Sequence, residues 1–167
     1  MRSTSNVKRM VEDHKPRLSR LSWVFTSDPV YFVTACTAKR QRILAKPEIH
    51  HAFIEFTQRA TARNVYVGRY VLMPDHLHLF VAFGPGSQSL SDWVKSLKNS
   101  LSKTLRPQGT TAPHWQKGFF DHMLRTEESY QQKWEYVAQN PVRAGLVQSA
   151  EDWPFQGETH ALESRRF

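Results

Sequence analysis

"YVLMPDHLHLF", residues 70–80, is an apolar run interrupted by a Pro-Asp pair and by two histidines one leucine apart. Its valine, leucines and phenylalanine suit buried strands, and Pro74-Asp75 suits a tight turn. The stretch therefore predicts a hairpin, with one strand through 65–73 and the next through 76–83. Alternate residues of a strand face the same side. His76 and His78 then project together from one face, while Leu77 and Leu79 enter a helix-covered core on the other. A one-residue slip would bury both imidazoles and expose both leucines.

Working outward, "VYFVTACT" (30–37) is β-branched and aromatic, which predicts a strand. "KPEIHHAFIEFTQRATAR" follows, with Pro47 placed to open a helix and Ile49, Phe53, Phe56 and Ala60 at helical spacing. "SLSDWVKSLKNSLSKTLR" predicts an amphipathic helix with Leu90, Trp93, Val94, Leu97, Leu101 and Leu105 on one stripe. Lys95, Lys98, Ser102 and Arg106 gather on a different face of it, as a candidate phosphate-contacting surface. "HWQKGFFDHMLR" (114–125) predicts a short aromatic strand, and Thr126 a cap for the helix "EESYQQKWEYVAQN", which Pro141 helps to end. "PVRAGLV" adds a short helix, and "DWPFQG" is read as a loop with two exposed aromatics.

The order is strand, helix, strand, strand, helix, strand, helix. It predicts an α+β, ferredoxin-like domain: a four-stranded antiparallel sheet, two helices on one face, and an added C-terminal helix. Residues 1–28 are expected to form a basic tail or arm with Arg17 and Arg20 among its six cations, 29–156 the domain, and 157–167 a tail.

The chain has 167 residues, enough for one ordinary domain with its own core. Its formal charge of +8 favours an anionic partner, and nucleic acid is the commonest. No run of about 18 apolar residues occurs, which excludes a membrane span. The N-terminal stretch lacks the apolar segment of a secretory signal. Cys36 stands alone, so no intramolecular disulfide forms, and a cytoplasmic home is expected.

Two imidazoles on one sheet face are placed to hold a divalent metal, but two ligands do not complete a site. The last helix offers more. Tyr136 and Asn140 are four residues apart on one helix face. Tyr136 is turned away from the apolar stripe of Tyr130, Trp134 and Val137, as a candidate nucleophile beside a candidate amide ligand. Tyr130 is the rival nucleophile, and its place on the apolar stripe argues against it.

Together these segments resemble the single-tyrosine HUH (IS200-like) transposases, and within them the REP-associated tyrosine transposases. "VLMPDHLHLF" is similar to that family's His-hydrophobic-His strand, "HWQKGFFDHMLRTEESY" to its next block, and "EYVAQNPVRAGLV" to its tyrosine signature. The "DWPF" segment is similar to a Trp-Pro segment near the family's end. The resemblance implies a DNA strand transferase acting on single-stranded or hairpin DNA, including REP-like palindromes. It implies that His76, His78 and Asn140 hold Mg²⁺ or Mn²⁺, and that Tyr136 attacks the scissile phosphate to give a 5′-phosphotyrosine. Asp121 and His122 fall in a matching block as site-shaping candidates, and Asp75 is read as a turn residue. A bacterial, nucleoid-associated protein working as monomer or homodimer, with monomer favoured, is the accompanying expectation. Two rival readings stand beside it: a metal-dependent phosphoesterase with no covalent step, and a catalytically weak nucleic-acid-binding module of the same fold.

Overall fold

The hairpin is closed where the Pro-Asp pair predicts it. Met73 N–H donates to the His76 carbonyl at 2.8 Å across Pro74 and Asp75. The structure is a computed structural model that describes residues 29–162. Among these, strands β1 (Val30–Cys36), β2 (Val65–Leu72), β3 (His76–Phe83), β4 (Phe120–Leu124) and β5 (Gln156–Glu158) form one antiparallel sheet. Its spatial order is β4-β1-β3-β2-β5. The helices are α1 (Pro47–Ala60), α2 (Leu90–Leu105), α3 (Glu127–Ala138) and the single turn α4 (Asn140–Arg143). Side-chain caps start two of them: the Ser89 and Thr126 hydroxyls accept from the N–H groups of Asp92 and Ser129, both at 3.1 Å.

Strand alternation sorts the core into two sides. Leu77, Leu79 and Val81 join Val33, Ala35 and the buried stripes of α1 and α2 in the main cluster. The other side of β3 carries His76, His78, Phe80 and Ala82. There Val30, Phe80 and Ala82 pack with Tyr130 of α3 and with Leu162. Val71 and Met73 pack with Val137 and Trp153. The stripe at Tyr130, Trp134 and Val137 thus lies on the sheet, as its spacing predicts. The result is a sheet with α1 and α2 on one face and α3 on part of the other.

The sheet has a fifth strand that the sequence reading lacks. β5 pairs with β2 at Arg69, Tyr70 and Val71, inside the segment read as loop and tail. Trp153 and Phe155, read as exposed, are drawn inward. Trp153 is buried and its Nε1 donates to the Leu72 carbonyl at 3.0 Å; Phe155 is half-buried and packs edge-on to Trp153. The folded unit runs on to Leu162, which is 3% exposed. This closure depends on Gly68, where the β2–β3 register shifts between Val67 and Tyr70. A Cβ there would come within 2.8 Å of Leu162 Cδ1 and 2.9 Å of the Tyr130 hydroxyl. No helix among the described residues is long and apolar enough to cross a membrane.

Candidate active site

Register places the two histidines. His76 is paired with Cys36 and His78 with Thr34, at the end of β1 and the start of β3. Their rings stand together, centroids 4.8 Å apart and nearly perpendicular. Each ring is held through Nδ1. His76 donates Nδ1–H to the Asp75 carboxylate at 2.7 Å, since a carboxylate can only accept. His78 Nδ1 lies 2.8 Å from the Thr34 hydroxyl, and its ring stacks on Phe32 at 5.3 Å. Both Nε2 atoms lack a hydrogen-bond partner among the described residues. This is the donor arrangement of metal-binding histidines, in which one nitrogen is fixed and the other free.

Electrostatics keep the pair neutral. Burial, then the neighbouring His76, Arg40, Lys133 and Arg143, push His78 down to about 3. Burial also lowers His76, against the pull of Asp75. For Asp75, burial opposes ionisation, but the hydrogen bond and charge of His76 and the charge of Arg40 outweigh it and hold the carboxyl below its ordinary value. Arg40 Nε sits 2.8 Å from the Asp75 carboxylate and its Nη1 2.9 Å from Cys36 Sγ. Asp75 is therefore more than a turn residue: it orients His76. Two neutral imidazoles offer lone pairs at neutral pH, which is the state a metal requires.

The end of α3 approaches the same side of the sheet. Lys133 Nζ lies 5.3 Å from the centroid of Phe32, the ring that stacks on His78. Three residues on, Tyr136 is 65% exposed, so its ring stands open to solvent. α3 stops at Ala138, and Pro141 sits in the first turn of α4, so Asn140 falls at a joint between two helices. Arg143 ties the joint together. Its guanidinium lies 4.2 Å from the Tyr136 ring centroid and donates to the Tyr136 carbonyl at 2.7 Å and to Asn140 Oδ1. No group of three or more His, Cys, Asp or Glu side chains among the described residues is arranged to hold a metal. An amide oxygen such as that of Asn140 is the chemistry left to complete a His-pair site, and a hard oxygen suits Mg²⁺ or Mn²⁺.

The other candidates divide. His122 pairs with Phe32 and so shares the histidine side of the sheet, whereas Asp121 pairs with Val33 and faces the opposite side. The two do not act on one site together. Lys95, Lys98 and Arg106 ride on α2 or just beyond it, across the sheet from His78. Lys98 is also occupied: its ammonium donates to the carbonyls of Gln116, at 3.1 Å, and Gly118, and lies 5.8 Å from the centroid of the Trp115 ring. Ser102, grouped with them as surface, is buried against His114 and Trp115. Arg17 and Arg20 lie outside the described residues. Thr34, Lys133 and Arg143 are the neighbours that sequence reasoning passed over, and Asp75 was read only as a turn residue. Only Arg143 left a usable signal, at helical spacing from Tyr136 and Asn140.

Residues 26–140, more than half of the chain, match a family model described as "Transposase IS200 like". The chain belongs to the IS200-like transposase family. The resemblance carried by the His-Leu-His strand and the tyrosine signature therefore stands, and the chain is an enzyme of a family that acts on DNA. Its relatives include a REP-associated tyrosine transposase of Escherichia coli, 25% identical over 107 residues, a match covering 64% of this chain and 61% of that protein. Among solved structures, a REP-associated tyrosine transposase bound to a REP hairpin superposes with a TM-score of 0.64 at 21% identity. That match covers 87% of this chain and 82% of that one, and it shows a shared fold.

Proposed function

We propose that this IS200-like enzyme cuts and joins single-stranded or hairpin DNA through a covalent 5′-phosphotyrosine on Tyr136. The observation that supports it best is the exposed Tyr136, tied by Arg143 to Asn140, at the end of a helix flanking two oriented, neutral histidines. In this reading His76 Nε2, His78 Nε2 and Asn140 Oδ1 hold Mg²⁺ or Mn²⁺. When bound, the metal polarises the scissile phosphate and offsets the charge developing on it.

The residues then divide the work. Asp75 and Thr34 fix the imidazole rings, so the two Nε2 atoms that would hold the metal do not wander. The Tyr136 phenolic oxygen attacks phosphorus, giving up its proton, and the bond from phosphorus to the 3′ oxygen breaks. The leaving strand gains a proton and ends in a 3′-hydroxyl, while the other keeps its 5′ phosphate on the tyrosine. A later 3′-hydroxyl reverses the step and joins strands without ATP, because the phosphodiester has been exchanged rather than hydrolysed. Lys133 and Arg143 place positive charge beside the reacting phosphate. A relative solved with a REP hairpin and the formal charge of +8 support hairpin DNA as the substrate, and the reading takes the monomer as the working unit.

The test uses hairpin oligonucleotides labelled at either end, incubated with protein and Mn²⁺ and run on a denaturing protein gel. Label retained from 3′-labelled DNA alone, and lost in Tyr136→Phe, is the expected result. Cutting that persists in Tyr136→Phe without an adduct would instead make this chain a metal phosphoesterase, and DNA binding with no cutting in either protein would make it a binding module.

A further inference from the structure

We infer that a second DNA-contacting site lies on the helical face of the domain, in a cleft between the end of α1 and the outer side of α2. Its ligand is the phosphodiester backbone of DNA outside the scissile step, and the inference rests on the DNA reading above. The cleft has a volume of about 780 Å³ and no Asp or Glu lines it. Arg59, Arg63 and Lys103 do. All three are exposed, and none forms an ion pair among the described residues.

Helix dipoles account for a cation in a last turn, but not for three cations converging on one concave surface without a counter-charge. Between them, α2 presents Ser96, Asn99, Ser100 and Lys103 to the cleft, a polar ladder at helical spacing. It runs about 10 Å along the helix at roughly 1.5 Å per residue. Neutral donors beside cations are what phosphate oxygens accept from, and they fix the register of a strand without reading its bases. Trp93 also lines the cleft, and its buried Nε1–H has no acceptor among the described residues.

The cleft is separate from the candidate active site. Val65, on its wall, pairs with Phe83 at the far end of β3 from His76. Phe83 lies seven residue steps along the strand from His76, about 23 Å at roughly 3.3 Å per residue. The two sites lie on opposite faces of the sheet, so DNA that engages both passes around its edge, and one turn of duplex, about 34 Å long, exceeds their separation along the strand. The cleft would then hold the stem while the tyrosine addresses the strand beyond it.

Fluorescence anisotropy of a hairpin oligonucleotide over a salt series tests this, with wild type, Arg59→Gln/Arg63→Gln/Lys103→Gln and the charge-keeping Arg59→Lys/Arg63→Lys. Losing three phosphate contacts on a duplex stem should flatten the log–log salt slope by about 2.7 and weaken binding roughly 500-fold at 0.1 M salt. The charge-keeping variant should stay within a few-fold of wild type. Adduct formation on a short single-stranded oligonucleotide should be the same in all three. Unchanged affinity and slope in the glutamine variant would overturn the site. So would pyrophosphate binding, by calorimetry, that the glutamine variant loses while hairpin affinity holds, since that marks a pocket for small anions. If hairpin affinity falls as expected but no protein forms an adduct, the cleft stands and the tyrosine chemistry fails.

Discussion

Asp75→Ala isolates the part of the site that turn chemistry alone does not explain. The carboxylate accepts the His76 Nδ1–H at 2.7 Å and faces Arg40 at 2.8 Å, and it has only 21% of its side chain exposed. Removing it leaves His76 able to rotate and to take the other tautomer, which places a proton on the nitrogen that would face a metal. Losing a carboxylate that orients a ligating imidazole costs roughly 10- to 100-fold in metal affinity, equivalent to about 1.4–2.7 kcal/mol. The Arg40 partner is half exposed, so the ion pair itself contributes no more than about 1 kcal/mol to folding. Metal affinity should therefore fall much further than stability. Isothermal titration with Mn²⁺ on wild type, Asp75→Ala and His76→Ala, alongside thermal melts, measures both. An Asp75→Ala protein that binds Mn²⁺ like wild type, while His76→Ala does not, would refute the reasoning and return Asp75 to a turn residue.

Arg143→Ala should slow adduct formation at least about 10-fold while changing stability by under about 1 kcal/mol, because its ring contact is solvent-exposed; Arg143→Lys should recover part of the rate, and single-turnover kinetics with denaturant melts separate the two effects. Gly68→Ala should lower stability by about 1–3 kcal/mol through overpacking against the buried Leu162 and Tyr130, read from the urea midpoint, and leave Mn²⁺ affinity unchanged. Lys98→Met should cost about 1 kcal/mol of stability through the lost straps to Gln116 and Gly118, with no change in the salt slope of DNA binding, because Lys98 is bound to the protein rather than free for phosphate.

The hairpin, the helical stripes and the face shared by His76 and His78 were legible because they follow from local periodicity. A strand repeat of two and a helix repeat near 3.6 are written into the residues that carry them. β5 was not legible: Gln156, Gly157 and Glu158 have no strand preference, and they become a strand because β2 offers them an edge. Trp153 and Phe155 sit among Asp152, Pro154 and Gln156, which reads as loop chemistry, yet they fill the space beside Leu72 and Val71. Lys98 and Ser102 occupy a polar helix face that the segment through His114 and Trp115 later crosses, and no periodicity within α2 reports that crossing. The Thr34–His78 contact needs the β1–β3 register, which is a tertiary fact. Tyr136 and Asn140 were legible as a pair, though the break at Gln139 between α3 and α4 gives them a geometry that one continuous helix would not.

The central claim is that Tyr136 becomes covalently bound to a DNA 5′ phosphate, and the chain lends itself to a direct measurement. Trypsin cuts after Arg125, Lys133 and Arg143, so Tyr130 and Tyr136 fall on different peptides, 126–133 and 134–143. Protein incubated with hairpin DNA and Mn²⁺ would be digested with nuclease and trypsin and examined by tandem mass spectrometry. The account predicts a nucleoside 5′-phosphate adduct on peptide 134–143, localised to Tyr136. Adduct mass on peptide 126–133, or cleaved DNA with neither peptide modified, would contradict it.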